Sequence, residues 1–397
     1  MLALYLLILC LPLGVAGQNI GLGTITAILI GLAVVRRREL QINWTEYRPF
    51  VVLAGVVLIT TIVGLYTNPE SPAESAGKFL GGYGAWWLMP WIFAIVLPPL
   101  SAKHWTTIGK VSAVVMIILG VIAISQYLFG WRIKGMSVVE DSSRARGLYS
   151  HPLTFAYVGL MLFVPAVGRA LGERRSVLAW VAAGFSLAVV VFSLSRTVLA
   201  ICLVAIGVFA IWQLRGRLRV GVIALLLLGS VVTMVTDNPV SRRFAHVVKR
   251  IDVAGDQVDD RVIFWRVAMD MIAERPWLGH GPELDTAYRT PYYERAGYGQ
   301  LEKKYEAHNT YLQVWVNGGI VALVGFLGWW LVIFIRASRW RHHWSGSTAM
   351  VTIGCFLTAS LTQNSFQDSE VRYAIVTGAT LLLLFARDQA ATQTTET

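Results

Sequence analysis

The histidine at position 308 is the side chain in this sequence best suited to proton transfer. His308 and Asn309 end a long polar stretch, and the apolar run TYLQVWVNGG begins at residue 310. An ionisable side chain at such a boundary is costly unless it faces a polar cavity. A neutral imidazole there could accept a proton from a hydroxyl nucleophile, and nearby arginines would help to keep it neutral. The spacing leaves a second interpretation open, an interfacial histidine that caps a helix.

Two arginines could supply positive charge to the same chemistry. Arg196 lies in the short break SLSRT (residues 193–197) between two apolar runs. A guanidinium at a helix start is a ready anion site, and the simpler alternative is an arginine that reaches toward lipid head groups. Arg261 lies four residues before Trp265 in a helical pattern, where a salt bridge to a neighbouring acid explains it equally well.

A third basic group precedes another apolar run. Arg144, Arg146 and His151 surround the tetrapeptide GLYS at 147–150. We treat them as candidate substrate-binding residues, with an ordinary contact to lipid phosphate as the alternative. His280, in the turn GHG (279–281), is predicted to have a structural role.

Signatures of other chemistries are not found in the sequence. It has no glycine-rich phosphate loop and no HExxH motif, and its three cysteines, Cys10, Cys202 and Cys355, lie inside apolar runs. Their spacing fits neither a disulfide framework nor a metal site. We therefore expect no metal and no cofactor.

The composition indicates a membrane protein. The chain is 55% hydrophobic and 14% charged, whereas a soluble domain carries about 25% charged residues. The net charge of +11 could indicate nucleic-acid binding, but much of the excess lies in short loops, where membrane topology explains it.

Twelve apolar runs approach the length of a membrane helix. They are 2–17, 20–35, 49–66, 80–100, 111–129, 151–168, 176–194, 197–213, 220–235, 310–335, 348–365 and 371–386. Eleven spans remain an alternative, because the first is short and polar residues interrupt the last pair. Residues 1–17 resemble a signal peptide without its basic start, so we expect a retained first helix. The predicted fold class is an all-α polytopic membrane protein.

Loop charge predicts the orientation. With a cytoplasmic N-terminus, every cytoplasmic loop is basic; these loops contain Arg36, Arg37, Arg38, Lys103, Lys110, Arg169, Arg174, Arg175, Arg215, Arg217, Arg219, Arg336, Arg339 and Arg341. The division is then nine spans in 1–235, a large extracytoplasmic loop at 236–309, three spans in 310–386 and a cytoplasmic tail at 387–397. The 130–150 loop is basic although it lies on the opposite face, which suggests a use for its charge.

The large loop holds a disproportionate share of the charge. Its residues 236–309 include 11 of the 34 Lys and Arg and 12 of the 23 Asp and Glu. Two amphipathic helices are predicted in it, 239–253 and 258–274. The apolar face of the second is predicted to contain Val258, Val262, Trp265, Met269 and Ile272. We expect both helices to rest on the membrane surface.

Together these residues resemble the O-antigen ligase and polymerase superfamily. The resemblance rests on RARGLYSHP (144–152), SLSRT (193–197), DRVIFW (260–265), RPWLGHGP (275–282) and the pair His308-Asn309 followed, after nine residues, by Gly319. It covers roughly residues 140–335, about half of the chain.

The resemblance implies a GT-C-like glycosyltransferase of the bacterial inner membrane that works at the periplasmic face. An O-antigen ligase transfers a glycan from undecaprenyl diphosphate to a sugar hydroxyl of lipid A–core. Matching motifs assign catalysis to His308, Arg196 and Arg261, with Arg144, Arg146, His151 and Asn309 as substrate-binding residues. Direct displacement would invert the anomeric carbon and would require no metal.

Three alternatives remain open at this level. An O-antigen polymerase uses the same donor with a lipid-linked glycan as acceptor, and a protein O-oligosaccharyltransferase glycosylates a protein. A transporter of lipid-linked glycan belongs to another class, and it would place its ionisable residues near the membrane midplane. Here they gather at one face, which favours an enzyme.

Overall fold

The computed structural model describes residues 1–39, 44–68, 79, 85–131, 144–173, 176–236, 241, 260–282, 284 and 286–395. Within these ranges the chain forms fourteen helices and no strand. They are α1 (Leu2–Leu9), α2 (Val15–Val35), α3 (Trp44–Tyr66), α4 (Ala85–Val96), α5 (Ala102–Phe129), α6 (Pro152–Gly172), α7 (Val177–Phe192), α8 (Arg196–Gln213), α9 (Gly216–Val235), α10 (Asp260–Glu274), α11 (Thr286–Arg295), α12 (Thr310–Ser338), α13 (Trp344–Ala359) and α14 (Ser369–Thr395).

The helices confirm the predicted all-α polytopic class. Every one of the twelve predicted spans contains a helix. Eight described helices are long and apolar enough to cross a membrane, namely α2, α3, α5, α6, α8, α9, α12 and α14. The four remaining helices that lie in predicted spans are shorter; α1, α4, α7 and α13 have 8, 12, 16 and 16 residues. At 1.5 Å per residue, even 16 residues reach only about 24 Å of a roughly 30 Å hydrocarbon core.

Several predicted spans have boundaries that differ from the helix ends; for example, α5 begins at Ala102 and α14 ends at Thr395. Two further spans include residues that the structure shows outside helices. The predicted span 2–17 is broken, because α1 ends at Leu9 and α2 begins at Val15. Pro12, in the intervening turn, has no N–H for helical pairing, and its ring would clash with the preceding turn of a continuous helix. The predicted span 348–365 begins earlier, at Trp344, and ends at Ala359. Residues 360–368 instead form an irregular polar connection, in which short polar side chains compete for backbone hydrogen bonds.

The bundle is organised around α6 and α12. Helix α6 packs against α7, α13 and α14, while α12 packs most extensively against α3. Large buried aromatic residues fill the centre, where the rings of Trp87 and Trp329 are 5.0 Å apart, edge to face. Such aromatic pairs add specific geometry to the burial of a large apolar surface.

The N-termini of α6, α12 and α14 meet the C-terminus of α13 at one end of this bundle. The Thr154 hydroxyl near the start of α6 donates to Asp368 Oδ2, just before α14, at 2.6 Å. The backbone N–H of Thr310, the first residue of α12, donates to the oxygen of Ser360, the C-cap of α13, at 2.9 Å. Backbone groups without partners inside their helices therefore gather at this end, which favours polar side chains there.

The segment 275–282 is pinned to a kink in α12. Gly319 has φ 72° inside that helix, and the N–H groups of His280 and Gly281 donate to Val316 O and Asn317 O at 2.8 and 2.9 Å. A Cβ on Gly319 would lie 1.9 Å from Trp277 O, so only glycine fits there. The second half of the large polar segment is therefore fixed to the helix bundle.

The existence of the second loop helix is confirmed as α10, but its predicted apolar face is correct only at Ile272 among the residues that lie buried on it. Val262 and Met269 are 51% and 48% exposed. The buried face instead consists of Ile263, Phe264, Val267, Ala268, Met271 and Ile272. It packs against residues of α11 and α12, and not against a membrane surface as predicted. Apart from Ser241, the predicted helix 239–253 lies outside the described residues, as does Val258.

Candidate functional site

The backbone around His308 is tightly determined by α12 and the 360–368 connection. His308 has φ 46°, a left-handed conformation that is costly for a residue with a Cβ. Asn309 follows as the N-cap of α12, and its Oδ1 accepts from the N–H groups of Tyr311 and Leu312 at 2.9 and 3.1 Å. Its Nδ2 donates to Leu361 O at 3.0 Å. These bonds hold His308 in its strained position, so Asn309 acts on the site through the backbone.

The imidazole of His308 has a defined tautomer. Its ring lies 5.5 Å, centre to centre, from each of the rings of Phe264 and Tyr305. Its Nδ1 is 3.0 Å from Gln363 Oε1. An amide oxygen can only accept a hydrogen bond, so Nδ1 carries the proton and donates. In the neutral ring, Nε2 is therefore the basic nitrogen.

The surroundings of His308 keep it neutral. Burial is the largest effect and lowers the pKa of His308. The hydrogen bond to Gln363 acts in the opposite direction, and the positive charge of Arg261 lowers the pKa further. Arg261 lies one turn before Phe264 on α10, which explains how its charge reaches the ring. The net pKa is below the ordinary value, so near neutral pH the imidazole is a base.

His308 opens onto a polar cavity of about 640 Å³. Its lining is dominated by amide and carboxylate side chains, with few apolar ones: Phe79, Ser150, Thr154, Pro282, Leu284, Arg289, Tyr305, Glu306, His308, Asn317, Gln363, Asn364, Gln367, Asp368, Ser369 and Glu370. We call the six lining residues between 363 and 370 the amide–acid wall; they are Gln363, Asn364, Gln367, Asp368, Ser369 and Glu370.

The surroundings of Asp368 disfavour the ionised form of its carboxyl group. Burial raises the pKa of Asp368, and the neighbouring Glu370 carboxylate raises it further, although the hydrogen bond from the Thr154 hydroxyl opposes the rise. Burial and a nearby like charge both act in this direction on a carboxyl group.

A second group of residues, assembled from distant segments, is basic. Arg144 Nε donates to Ser193 O at 2.8 Å, and the N–H of Ala145 donates to Phe192 O at 3.0 Å. The 144–145 segment thus packs on the α7–α8 turn, which carries Arg196 as the first residue of α8. Arg146 is 9% exposed, and its N–H donates to Gln126 Oε1 at 2.9 Å.

His151 connects this basic group to His308. Its Nδ1 caps α6 by accepting from the N–H of Leu153 at 3.1 Å. Desolvation is the largest effect and lowers the pKa of His151, and electrostatic interaction with Arg144 and His308 lowers it further. The structure therefore brings Arg144, His151 and His308 into one electrostatic neighbourhood.

The basic side of the site, as we call Arg144, Arg146, His151, Arg196 and Arg261, does not line the cavity. Within the described residues, the cationic side chain that does so is Arg289. It lies 3.8 Å from Glu306 and donates to Leu284 O at 2.7 Å, so its charge is already engaged. The amide–acid wall thus lines the cavity beside His308, whereas the basic side does not.

His280 has the structural role that the sequence predicts. It is fully buried, with Nδ1 2.7 Å from the Tyr288 hydroxyl and Nε2 2.7 Å from Met271 O. These contacts tie the 275–282 turn to α10 and α11. The buried ring consequently supports the loop and does not face the cavity lining.

The amide–acid wall was not predicted from the sequence. Gln363, Asn364, Asp368 and Glu370 were not among the candidate site residues, although the polar run after residue 360 was visible as an interruption between two apolar spans. Such an interruption beside a chemically competent histidine is the signal that could have found them. In the part of the chain that the structure describes, no group of three His, Cys, Asp or Glu side chains is arranged to hold a metal ion.

Part of the chain matches a known family. Residues 181–327 match the family model described as O-Antigen ligase. The matched stretch contains Arg196, Arg261, His308 and Asn309; it contains neither the 144–151 segment nor the amide–acid wall. No curated protein matches the chain.

Proposed function

We propose that the protein is an O-antigen ligase. The match of residues 181–327 supports its membership of the O-antigen ligase and polymerase superfamily. It transfers an O-antigen glycan from undecaprenyl diphosphate to a sugar hydroxyl of lipid A–core. The reaction takes place at the periplasmic face of the bacterial inner membrane, in a GT-C-like enzyme with both termini in the cytoplasm.

The observation that carries the proposal is the state of His308. Gln363 fixes the proton on Nδ1, burial and Arg261 keep the ring neutral, and the ring borders a polar cavity. Nε2 can therefore take the proton of an incoming hydroxyl, as a general base does. Asn309 supports this role by fixing the backbone next to the imidazole.

The basic side supplies the complementary half of the reaction. The acceptor oxygen bonds to the anomeric carbon while the bond from that carbon to the diphosphate oxygen breaks. Negative charge develops on the leaving undecaprenyl diphosphate, and fixed guanidinium groups stabilise such charge. We assign this task to Arg196 and Arg261, with Arg144, Arg146 and His151 binding the rest of the anion. Displacement in one step inverts the anomeric centre and uses no metal.

The test is a transfer assay with purified protein in lipid. The substrates are an undecaprenyl diphosphate-linked O-antigen and rough lipopolysaccharide, without added metal or nucleotide. We expect transfer that a chelator leaves intact. His308→Ala should lower the rate by about 10² to 10⁴, the usual contribution of a general base.

His308→Gln serves as the matched variant, because it keeps a polar side chain but cannot accept a proton at neutral pH. Equal loss in both variants supports the base, whereas wild-type rates in either would remove His308 from the mechanism. Circular dichroism and thermal unfolding verify that each variant is folded.

The choice of glycosyl acceptor separates the ligase from its relatives. We expect transfer to lipid A–core and none to a second lipid-linked glycan or to a protein. Growth of long lipid-linked chains would identify a polymerase, and a glycosylated protein product would identify an oligosaccharyltransferase.

A further inference from the structure

We propose that the amide–acid wall binds hydroxyl groups of the acceptor saccharide next to His308. The inference rests on the proposed function, because it takes His308 as the base that activates a sugar hydroxyl. It adds an assignment for residues outside the matched stretch, chiefly Asn364, Gln367 and Glu370.

Three oxygen atoms of the wall lack a hydrogen-bond partner among the described residues. They are Asn364 Oδ1, Gln367 Oε1 and Glu370 Oε1, and all three are buried. Asn364 and Glu370 are only 6% and 4% exposed, yet both line the cavity. Buried polar atoms in folded proteins are nearly always paired, so these oxygens point to a missing ligand.

The chemistry of these oxygens selects the ligand. Each of the three can only accept a hydrogen bond, so the missing group must donate. Sugar hydroxyls donate, whereas a diphosphate offers only accepting oxygens and is repelled by nearby carboxylates. The wall is therefore unsuited to the diphosphate and suited to a saccharide.

The wall is also built to present these oxygens. Asn364 Nδ2 donates to Glu306 Oε2 at 2.7 Å, and Glu370 Oε2 accepts from the Ser369 hydroxyl at 2.9 Å. Each side chain is thus anchored by one terminal atom and has the other unpaired. At about 640 Å³ the cavity falls within the size range of small-ligand sites.

The position of the basic side identifies the saccharide as the acceptor. In an inverting displacement, the nucleophile and the leaving group lie on opposite faces of the sugar ring. The leaving diphosphate belongs with Arg196 and Arg261, which do not line the cavity. The cavity is shared by the wall and by His308, the base for the incoming hydroxyl. A saccharide held there lies on the acceptor side.

Steady-state kinetics with each substrate varied in turn tests the assignment. Asn364→Ala and Glu370→Ala should each raise the KM for rough lipopolysaccharide roughly ten- to hundred-fold, as loss of a hydrogen bond to a buried polar or charged group does. The KM for the lipid-linked donor should not change. Glu370→Gln retains an accepting oxygen and should recover most of the loss. Thr358→Ala, an exposed residue near the end of α13, is the matched control and should behave as wild type.

Two outcomes would contradict saccharide binding by the amide–acid wall while the proposed function stands. In the first, the Asn364→Ala and Glu370→Ala variants transfer glycan with both KM values unchanged. In the second, only the KM for the donor changes. Binding of core oligosaccharide freed of lipid A, measured by calorimetry, provides a test that does not depend on transfer. Binding that Glu370→Ala abolishes supports the wall even if wild-type protein transfers nothing, in which case only the proposed function fails. No binding by wild-type protein overturns the wall. Thermal unfolding identifies any variant that fails to fold, and Glu370→Gln then carries the test.

Discussion

The two sides of His308 differ in charge, in origin and in what they can bind. The basic side comes from residues 144–151, the α7–α8 turn and α10, whereas the amide–acid wall comes from a single connection between α13 and α14. The proposed division of labour follows this difference: guanidinium groups suit the anionic leaving group, and the oxygen atoms of the wall suit hydroxyl groups. His308 and the wall share the cavity, whose lining does not include the basic side.

The strongest test of this separation is removal of charge from the basic side. Arg196→Ala and Arg261→Ala should each lower the transfer rate by about 10² to 10³, because developing charge on the diphosphate loses a fixed partner. Arg266→Ala, at an exposed position of the same α10 helix, is the control and should leave the rate unchanged. Comparable losses in Arg266→Ala would mean that the effect is general electrostatics. The measurement is the single-turnover rate at saturating substrates.

Removal of the contact between His308 and Gln363 of the wall should have an intermediate effect on the transfer rate. Gln363→Ala removes the group that holds the proton on Nδ1, so we expect the rate to fall by about ten-fold, the value of one oriented hydrogen bond. Gln363→Glu keeps an accepting oxygen there and should preserve the tautomer. Its negative charge should raise the pKa of His308 and move the acid limb of the pH–rate profile to higher pH. An unshifted limb would contradict the contact.

The influence of Arg261 on His308 can be measured without turnover. Arg261 lowers the pKa of His308, so Arg261→Met should raise it and Arg261→Lys should keep it low. Because the neutral ring is the active form, activity is lost as pH falls through this pKa, and the loss in Arg261→Met begins at a higher pH. Titration of the His308 resonance by NMR checks the direction. Equal pKa values of His308 in Arg261→Met and Arg261→Lys would show that the charge of Arg261 does not act on His308.

The smallest expected effect concerns the frame that both sides share. Asn309→Ala removes the cap of α12 and should destabilise the protein by about 1 kcal/mol. Asn309→Asp keeps the capping oxygen and loses only the donor to Leu361 O, so its thermal unfolding should be closer to wild type. Similar destabilisation in both variants would show that the hydrogen bond to Leu361 O, and not the cap of α12, stabilises the protein.

Much of the fold follows from local patterns. Apolar runs located a helix in each predicted span, and the helical pattern at 258–274 located α10. The choice of its buried face failed, because the sequence offers two adjacent apolar stripes and only the packing partner decides between them. That partner, a surface of α11 and α12, is distant in sequence from the first residues of α10.

The candidate site was predictable only in part for the same reason. The positions of His308 and Arg196 indicate a functional role, since each is a charged or ionisable residue at the start of an apolar run. The amide–acid wall does not, because Asn, Gln, Asp and Glu in a short connection are ordinary loop residues. Their proximity to the site becomes visible only in the structure, where Gln363 contacts a histidine 55 residues earlier in the chain.

The sequence alone therefore determined the helical class, the placement of His308 and Arg196 at helix starts, and the presence of a charged segment before α12. Hydrophobic periodicity and chain-local spacing are sufficient for these features. The tertiary structure decided the tautomer of His308, the docking of 275–282 at the Gly319 kink and the division of charge around the cavity. Each of these depends on atoms brought together from separate helices, and one-dimensional spacing carries no record of such contacts.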